Sequence, residues 1–213
     1  MYFLNSEMVF PSVTEASEDG LLAVGGDVSA ERLLLAYRSG IFPWYDVDSP
    51  ILWWSPDPRM VLFPHKLKVS KSLQKTINSK QFSITFNKEF TEVITNCSKV
   101  QRKGQQGTWI THEMIAAYSQ LHSLGHAISV EVWQESKLVG GLYGVDLADK
   151  RIFCGESMFS HVSDASKVAF YYLVALLQSK EYRLIDCQVY TGHLERFGAE
   201  EIPRELFLSY LNC

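Results

Sequence analysis

The run Leu184-Ile185-Asp186-Cys187-Gln188-Val189 sets an acid and an amide two residues apart in an otherwise apolar stretch. Read as a strand, it sends Asp186 and Gln188 to the same side, because successive side chains alternate across the backbone. A buried carboxylate is costly unless it is partnered, so something polar should sit against that face. An acid beside an amide can orient a bound polar group and offset its charge, or it can satisfy neighbouring loops. From these six residues alone the structural role is the simpler reading. Other reactive residue types are less organised. The four cysteines are scattered with no Cys-x-x-Cys pair and read as reduced thiols. His122 and His126 have helical i, i+4 spacing, but Gly125 between them is a helix stop, so no metal site is expected.

The 213 residues, 46% hydrophobic, are enough for one large domain or a main domain with a smaller one. No window approaches the apolar length of a membrane helix, and Met1 to Pro11 lacks the basic start and apolar core of a signal peptide. The net charge of -4 argues against indiscriminate nucleic-acid coating. Its distribution is uneven, because Pro58 to Phe86 contains Arg59, Lys66, Lys68, Lys71, Lys75 and Lys80 and no acid. That stretch is either a phosphate-tracking surface or a solvated helix face.

The elements that would position these residues follow from periodicity and caps. Asp19 to Asp27 is glycine-rich and reads as tight turns. A helix capped by Ser29 and closed by Gly40 follows, then a patch of tryptophans and prolines from Pro43 to Pro58. Arg59 to Phe63 reads as a strand, with the boundary of a small N-terminal α+β domain, residues 1–63, placed at Pro64. Residues 64–213 begin with a basic helix over 70–79 and a strand near 82–86. A helix capped by Asn87 and another from Thr111 to Gly125 come next. Strands are expected over 127–134, 137–146 and 151–156, the second with Gly140 and Gly141 permitting a bulge or close backbone approach. A long helix over 164–179, the strand at 184–189 and short closing helices complete the chain. This α+β order is the one expected of a GNAT-like acyltransferase domain, whose strand after the long helix splays from its neighbour to open a cleft.

Several blocks resemble one family, the bacterial leucyl/phenylalanyl-tRNA protein transferases. They include residues 19–27 (DGLLAVGGD), 40–44 (GIFPW), 51–59 (ILWWSPDPR), 107–111 (GTWIT), 138–144 (LVGGLYG), 153–160 (FCGESMFS), 165–167 (ASK) and 184–188 (LIDCQ). Together they span nearly the whole chain in order. The resemblance implies a cytoplasmic, monomeric enzyme that moves Leu or Phe, less readily Met, from aminoacyl-tRNA to proteins with N-terminal Arg or Lys, marking them for degradation under the N-end rule. It implies no cofactor, metal or membrane.

The resemblance also assigns residues. It implies that Gln188, supported by Asp186, draws the proton from the incoming amine. Since a neutral amide is too weak a base to hold that proton, the chemistry favours a modified role in which Gln188 accepts a hydrogen bond from the amine and aims it, while Asp186 polarises the amide and offsets the developing charge. Leu142, Phe153, Met158 and Ile185 would form the aminoacyl pocket, where flexible Met and unbranched space suit Leu, Phe and Met. Trp44 and Trp109 would meet the terminal adenosine, and Lys71 and Lys75 the tRNA backbone. Apart from the resemblance, the acceptor's Arg or Lys calls for an acid, and Glu156, at the end of a cleft strand, is the candidate, with Asp186 as its competitor. Alternation places Ile185 opposite Asp186, so a twist or bulge is needed for both to reach one cleft. Departures from the family pattern are Ile128, where many relatives have His, the loop from Val100 to Gln106, and an early end at Cys213. Two rival readings remain: a Fem-type transferase with a peptidoglycan acceptor, and a non-enzymatic tRNA-binding module.

Overall fold

The computed structural model describes residues 2–100 and 109–212. Most of the loop singled out above, together with Gly107, Thr108 and Cys213, lies outside the described residues. In chain order the first elements are β1 (Tyr2–Leu4), β2 (Leu21–Gly25), α1 (Ala30–Arg38), β3 (Phe42–Pro43), β4 (Leu52–Trp54) and β5 (Arg59–Leu62). Then come α2 (Lys71–Asn78), β6 (Ser83–Phe86), α3 (Phe90–Ser98), α4 (His112–Ser123), β7 (Ala127–Gln134), β8 (Lys137–Leu147) and β9 (Ile152–Ser160). The last are α5 (Ala165–Ser179), β10 (Leu184–Gln188), α6 (Gly192–Glu195), β11 (Glu200–Ile202) and α7 (Arg204–Leu211).

The strands form two sheets, a four-stranded one in the order β1-β2-β4-β3 and a seven-stranded one in the order β11-β5-β10-β9-β8-β7-β6. Strands β7, β8 and β9 are antiparallel neighbours, and after α5 the chain returns as β10, parallel to β9. The α+β class and the strand order expected of a GNAT-like domain are therefore present. Pairing between β10 and β9 runs from Leu184↔Ile152 to Asp186↔Cys154 and goes no further. Beyond it the two strands part, which opens the space described below.

Three sequence expectations need correction. Strand β5, grouped with residues 1–63 above, pairs antiparallel with β10 and β11, so the seam between the two sheets precedes Arg59. The glycine-rich segment 19–27 contains β2, which pairs with both β1 and β4; its glycines turn the chain at the strand's ends. Asn87 does not cap α3. It adopts φ +57° and accepts the Ser129 N–H through its side chain at 2.9 Å. The N–H groups of Lys88 and Glu89 point instead at the buried Glu131 carboxylate, which also takes the Ser129 hydroxyl and that of Thr85. An acid reaching over from a neighbouring strand thus satisfies the backbone N–H groups just ahead of α3, which has no side-chain cap of its own.

Elsewhere the local rules hold. Ser29, Ser70 and Thr111 each accept a backbone N–H three residues on, capping α1, α2 and α4. Gly40 ends α1 at φ +75°, where a Cβ would meet Leu208 at 2.7 Å. Gly140 lets α5 approach β8, since a Cβ there would lie 2.5 Å from that of Ala165. The two faces of the large sheet bury separate clusters. Val61, Cys154 and Leu184 face one cluster with α1, α3 and α4, while Met60, Leu62, Phe153 and Ile185 face the other with α5. Alternation along each strand sorts its residues between the two, and the first cluster is shared with Leu22, Phe42 and Trp53 of the small sheet.

Candidate active site

A cavity of about 520 Å³ opens where β9 and β10 part. Its apolar floor contains Leu142 from β8, Phe153 and Met158 from β9, Ile185 from β10, and Phe170 and Leu173 from α5. The four residues expected to form an aminoacyl pocket are thus brought together, and α5 adds two that the sequence reading did not single out. Trp44 and Trp109 line the cavity too; Trp44 is exposed and Trp109 buried. Lys71 and Lys75 project into solvent from α2 and do not line it.

The polar groups sit where the strands are irregular. A bulge in the pairing of β8 with β9, between Tyr143 and Gly144, leaves Glu156 without an opposite residue. A second irregularity, between Asp186 and Gln188 against β5, accompanies Gln188 at φ +66°. That left-handed residue breaks simple alternation, so Ile185 and Gln188 both reach the cavity. Ile185 and Asp186 do not share the cleft: the irregularity brings Gln188, and not Asp186, to the side of Ile185.

Glu156 and Gln188 meet directly: the Gln188 amide Nε2 donates to Glu156 Oε1 at 2.7 Å. The other carboxylate oxygen, Oε2, accepts the Tyr118 hydroxyl at 2.9 Å, and the Tyr118 and Tyr37 hydroxyls are 2.5 Å apart. Burial pushes the Glu156 carboxyl up to about 7, against the hydrogen bonds from Tyr37, Tyr118 and Gln188, which favour its charged form. The same burial, with Glu156 nearby, raises the phenols of Tyr37 and Tyr118 well above their usual range, so both act as neutral donors.

Asp186 takes a different place from the one expected. It is 1% exposed and does not line the cavity. Its carboxylate is held by both Arg59 Nε, at 2.8 Å, and Nη2, at 2.7 Å. Arg59 also donates to the Gly40 carbonyl and lies against the rings of Phe42 and Phe207, 4.8 and 4.7 Å from their centroids. Asp186 touches Gln188 through the backbone only, accepting its N–H on Oδ1 at 2.9 Å. The side-chain partner of Gln188 is therefore Glu156, and Asp186 holds the bulged backbone that aims Gln188. Above, Arg59 is placed in a strand and in the basic stretch, and Tyr118 is not singled out within the helix from Thr111 to Gly125. The available signal was an arginine heading one apolar strand and an acid set within another.

Among the described residues, no group of three or more His, Cys, Asp or Glu is arranged to hold a metal ion. His122 instead stacks on Phe90 at 4.3 Å, with Nδ1 at 2.8 Å from the Ala127 carbonyl. No helix among them is long and apolar enough to cross a membrane.

Known proteins match this chain along its length. Residues 61–212 match the family model described as leucyl/phenylalanyl-tRNA protein transferase, and residues 26–57 match that of its N-terminal domain. The protein named leucyl/phenylalanyl-tRNA--protein transferase in Flavobacterium johnsoniae is 58% identical over 99% of both chains. Its counterpart in Christiangramia forsetii is 57% identical over 99% of this chain and all of its own. Solved structures overlap more loosely. L-PGS from Bacillus licheniformis gives a TM-score of 0.43 at 10% identity, covering 82% of this chain and 57% of its own. A GCN5-related N-acetyltransferase from Kribbella flavida gives 0.38 at 11% identity, covering 79% and 59%. With both family models matched in order and more than half of all positions identical across whole relatives, the chain belongs to the leucyl/phenylalanyl-tRNA protein transferase family.

Proposed function

We propose that this enzyme transfers Leu or Phe, and less readily Met, from aminoacyl-tRNA to the amino terminus of proteins beginning with Arg or Lys, in the cytoplasm, marking them for degradation. The observation that carries this reading is the joining of an apolar floor to one carboxylate–carboxamide pair in a single cavity. Its volume lies within the ~300–1,000 Å³ typical of small-molecule pockets. Leu142, Phe153, Met158 and Ile185 accept an aliphatic or aromatic side chain that is not branched at Cβ, and Trp44 and Trp109 offer rings for the terminal adenosine.

An aminoacyl ester is already activated, so the enzyme's task is to position an amine and remove its proton. Gln188 gives its N–H to Glu156, which leaves the amide oxygen to accept a hydrogen bond from the incoming amine. Among the described residues lining the cavity, Glu156 is the only acid, and it gives a cationic amino terminus its counter-charge. With a proton affinity near neutrality it also suits proton removal better than a neutral amide would. Attack forms the amide C–N bond and breaks the ester C–O bond, and the ribose oxygen leaves with a proton. Asp186, fixed by Arg59, holds the Gln188 backbone throughout.

A peptidoglycan acceptor or a purely binding role is not favoured, given how fully the transferases named above match. The test is transfer from charged Leu-tRNA to a peptide beginning with Arg. Product supports the reading, and binding of the charged tRNA without product refutes it.

A further inference from the structure

Beside the main cavity lies a smaller one of about 200 Å³, lined by Lys68, Ser70, Leu73, Lys167, His193, Arg196 and Phe197. His193 lines both, so the two share a wall. Its cations come from three segments: Lys68 from the strap before α2, Lys167 from the first turn of α5, and Arg196 from the end of α6. No carboxylate lines it among the described residues.

The cluster is anchored. The Lys68 N–H donates to the Phe197 carbonyl at 2.8 Å, and a Cβ on Gly198 would come within 2.5 Å of the Lys66 carbonyl oxygen. The strap and the end of α6 are thereby locked together, which keeps Lys68 beside Arg196. Lys167 is steadied by Asp164 Oδ1 at 2.6 Å, while Thr76 donates to the other oxygen of that acid. The nearby acids are otherwise engaged, Glu195 with the Tyr190 hydroxyl and Glu200 with Lys66. His193 registers the resulting field. Burial, then Arg196 and Lys167, depress its imidazolium.

We propose that Lys68, Lys167 and Arg196 form a phosphate cradle for the single-stranded 3′ end of the donor RNA. This rests on the reading of the main cavity as the aminoacyl-adenosine site. Two ammonium groups and a guanidinium are opposite in sign to an anionic phosphodiester backbone and supply N–H donors to it, and the guanidinium can engage a phosphate bidentately. Such interactions carry no sequence information, as an enzyme taking several tRNAs requires. They would hold the strand next to the end bearing the ester.

The test is the full-length Lys68→Ala/Arg196→Ala protein, assayed with charged tRNA and with 3′-O-phenylalanyl-adenosine, which has no phosphate. Lys167 is kept because Asp164 ties it to the fold. The KM for charged tRNA should rise about tenfold, from the loss of charge-assisted hydrogen bonds. Its dependence on log salt should become shallower by about 0.7 for each phosphate left without its cation. Transfer from the phosphate-free donor should be unchanged. Equal loss with both donors, or no change with either, overturns the proposal. A raised KM for the acceptor peptide alone also overturns it, by assigning the cradle to acidic peptide side chains. If the unaltered protein transfers from neither donor, the aminoacyl-transfer reading is what fails. Binding of a fluorescently labelled RNA trinucleotide to both proteins then decides the cradle independently, with equal affinities refuting it.

Discussion

Gln188 and Glu156 share a 2.7 Å hydrogen bond between amide and carboxylate, at the point where two neighbouring strands separate. The bond fixes which way round the amide sits, because Glu156 can only accept from it while charged. The Gln188 oxygen is consequently directed to whatever enters the cavity.

Gln188→Ala is therefore expected to lower kcat by about 10²–10⁴-fold, the usual range for a group that positions or moves a proton. Affinity for charged tRNA should hardly change. Equilibrium binding beside single-turnover transfer checks this, and parallel losses in both would point to a structural role instead.

Glu156→Gln should remove a titration from the rate profile. The carboxyl is held up to about 7, so activity that needs its charged form rises with pH through that value. A second rise near 8, about where an acceptor's own α-amino group loses its proton, should persist in the variant. Stability runs the other way. Between the ordinary carboxylate range and about 7 the folded protein keeps a proton that the unfolded chain has released, so Glu156's contribution falls as pH rises. The variant should also weaken the preference for Arg and Lys N-termini, and an unchanged preference would remove Glu156 from acceptor recognition.

Tyr118→Phe deletes a hydrogen bond that favours the charged carboxylate. The limb near pH 7 should move upward while the maximal rate at high pH is largely retained. A pH profile with an unmoved limb would show that Tyr118 does not act through Glu156.

Arg59→Met leaves Asp186 buried without its partner and should cost about 3–5 kcal/mol of stability. Arg59→Met combined with Asp186→Leu should restore most of that loss, because the paired charges are replaced by apolar bulk. Activity should stay low in the double variant, since the Gln188 backbone has lost the oxygen that holds it. Denaturant unfolding and transfer rates measured on the same samples separate the two effects, and a restored rate would rule out the anchoring role.

Much of this architecture is legible in the residues. Alternation in β7 and caps such as Ser29 and Thr111 announce their elements, and Phe153, Met158 and Ile185 line one cavity. What escapes is anything set by a partner distant in sequence. Asn87 has the right type for a cap, yet its side chain accepts the Ser129 N–H, and Glu131 on another strand takes the N–H groups of Lys88 and Glu89. Asp186 has the right spacing to share a face with Gln188, yet Arg59 claims its carboxylate and a positive φ at Gln188 resets the geometry. Periodicity reports one strand at a time, whereas a salt bridge between β5 and β10 depends on which strands become neighbours.

The Arg59 guanidinium touches the Gly40 carbonyl and the Phe42 ring on one side, and Asp186 and Phe207 on the other. The chain's opening third is thus not an interchangeable module. A chimaera that borrowed residues 26–57 from a distant relative would import one wall of the chamber along with the shelf on which its catalytic strand rests. A graft at this seam therefore has to carry the residues that meet Arg59 from both sides, Gly40 and Phe42 together with Asp186 and Phe207.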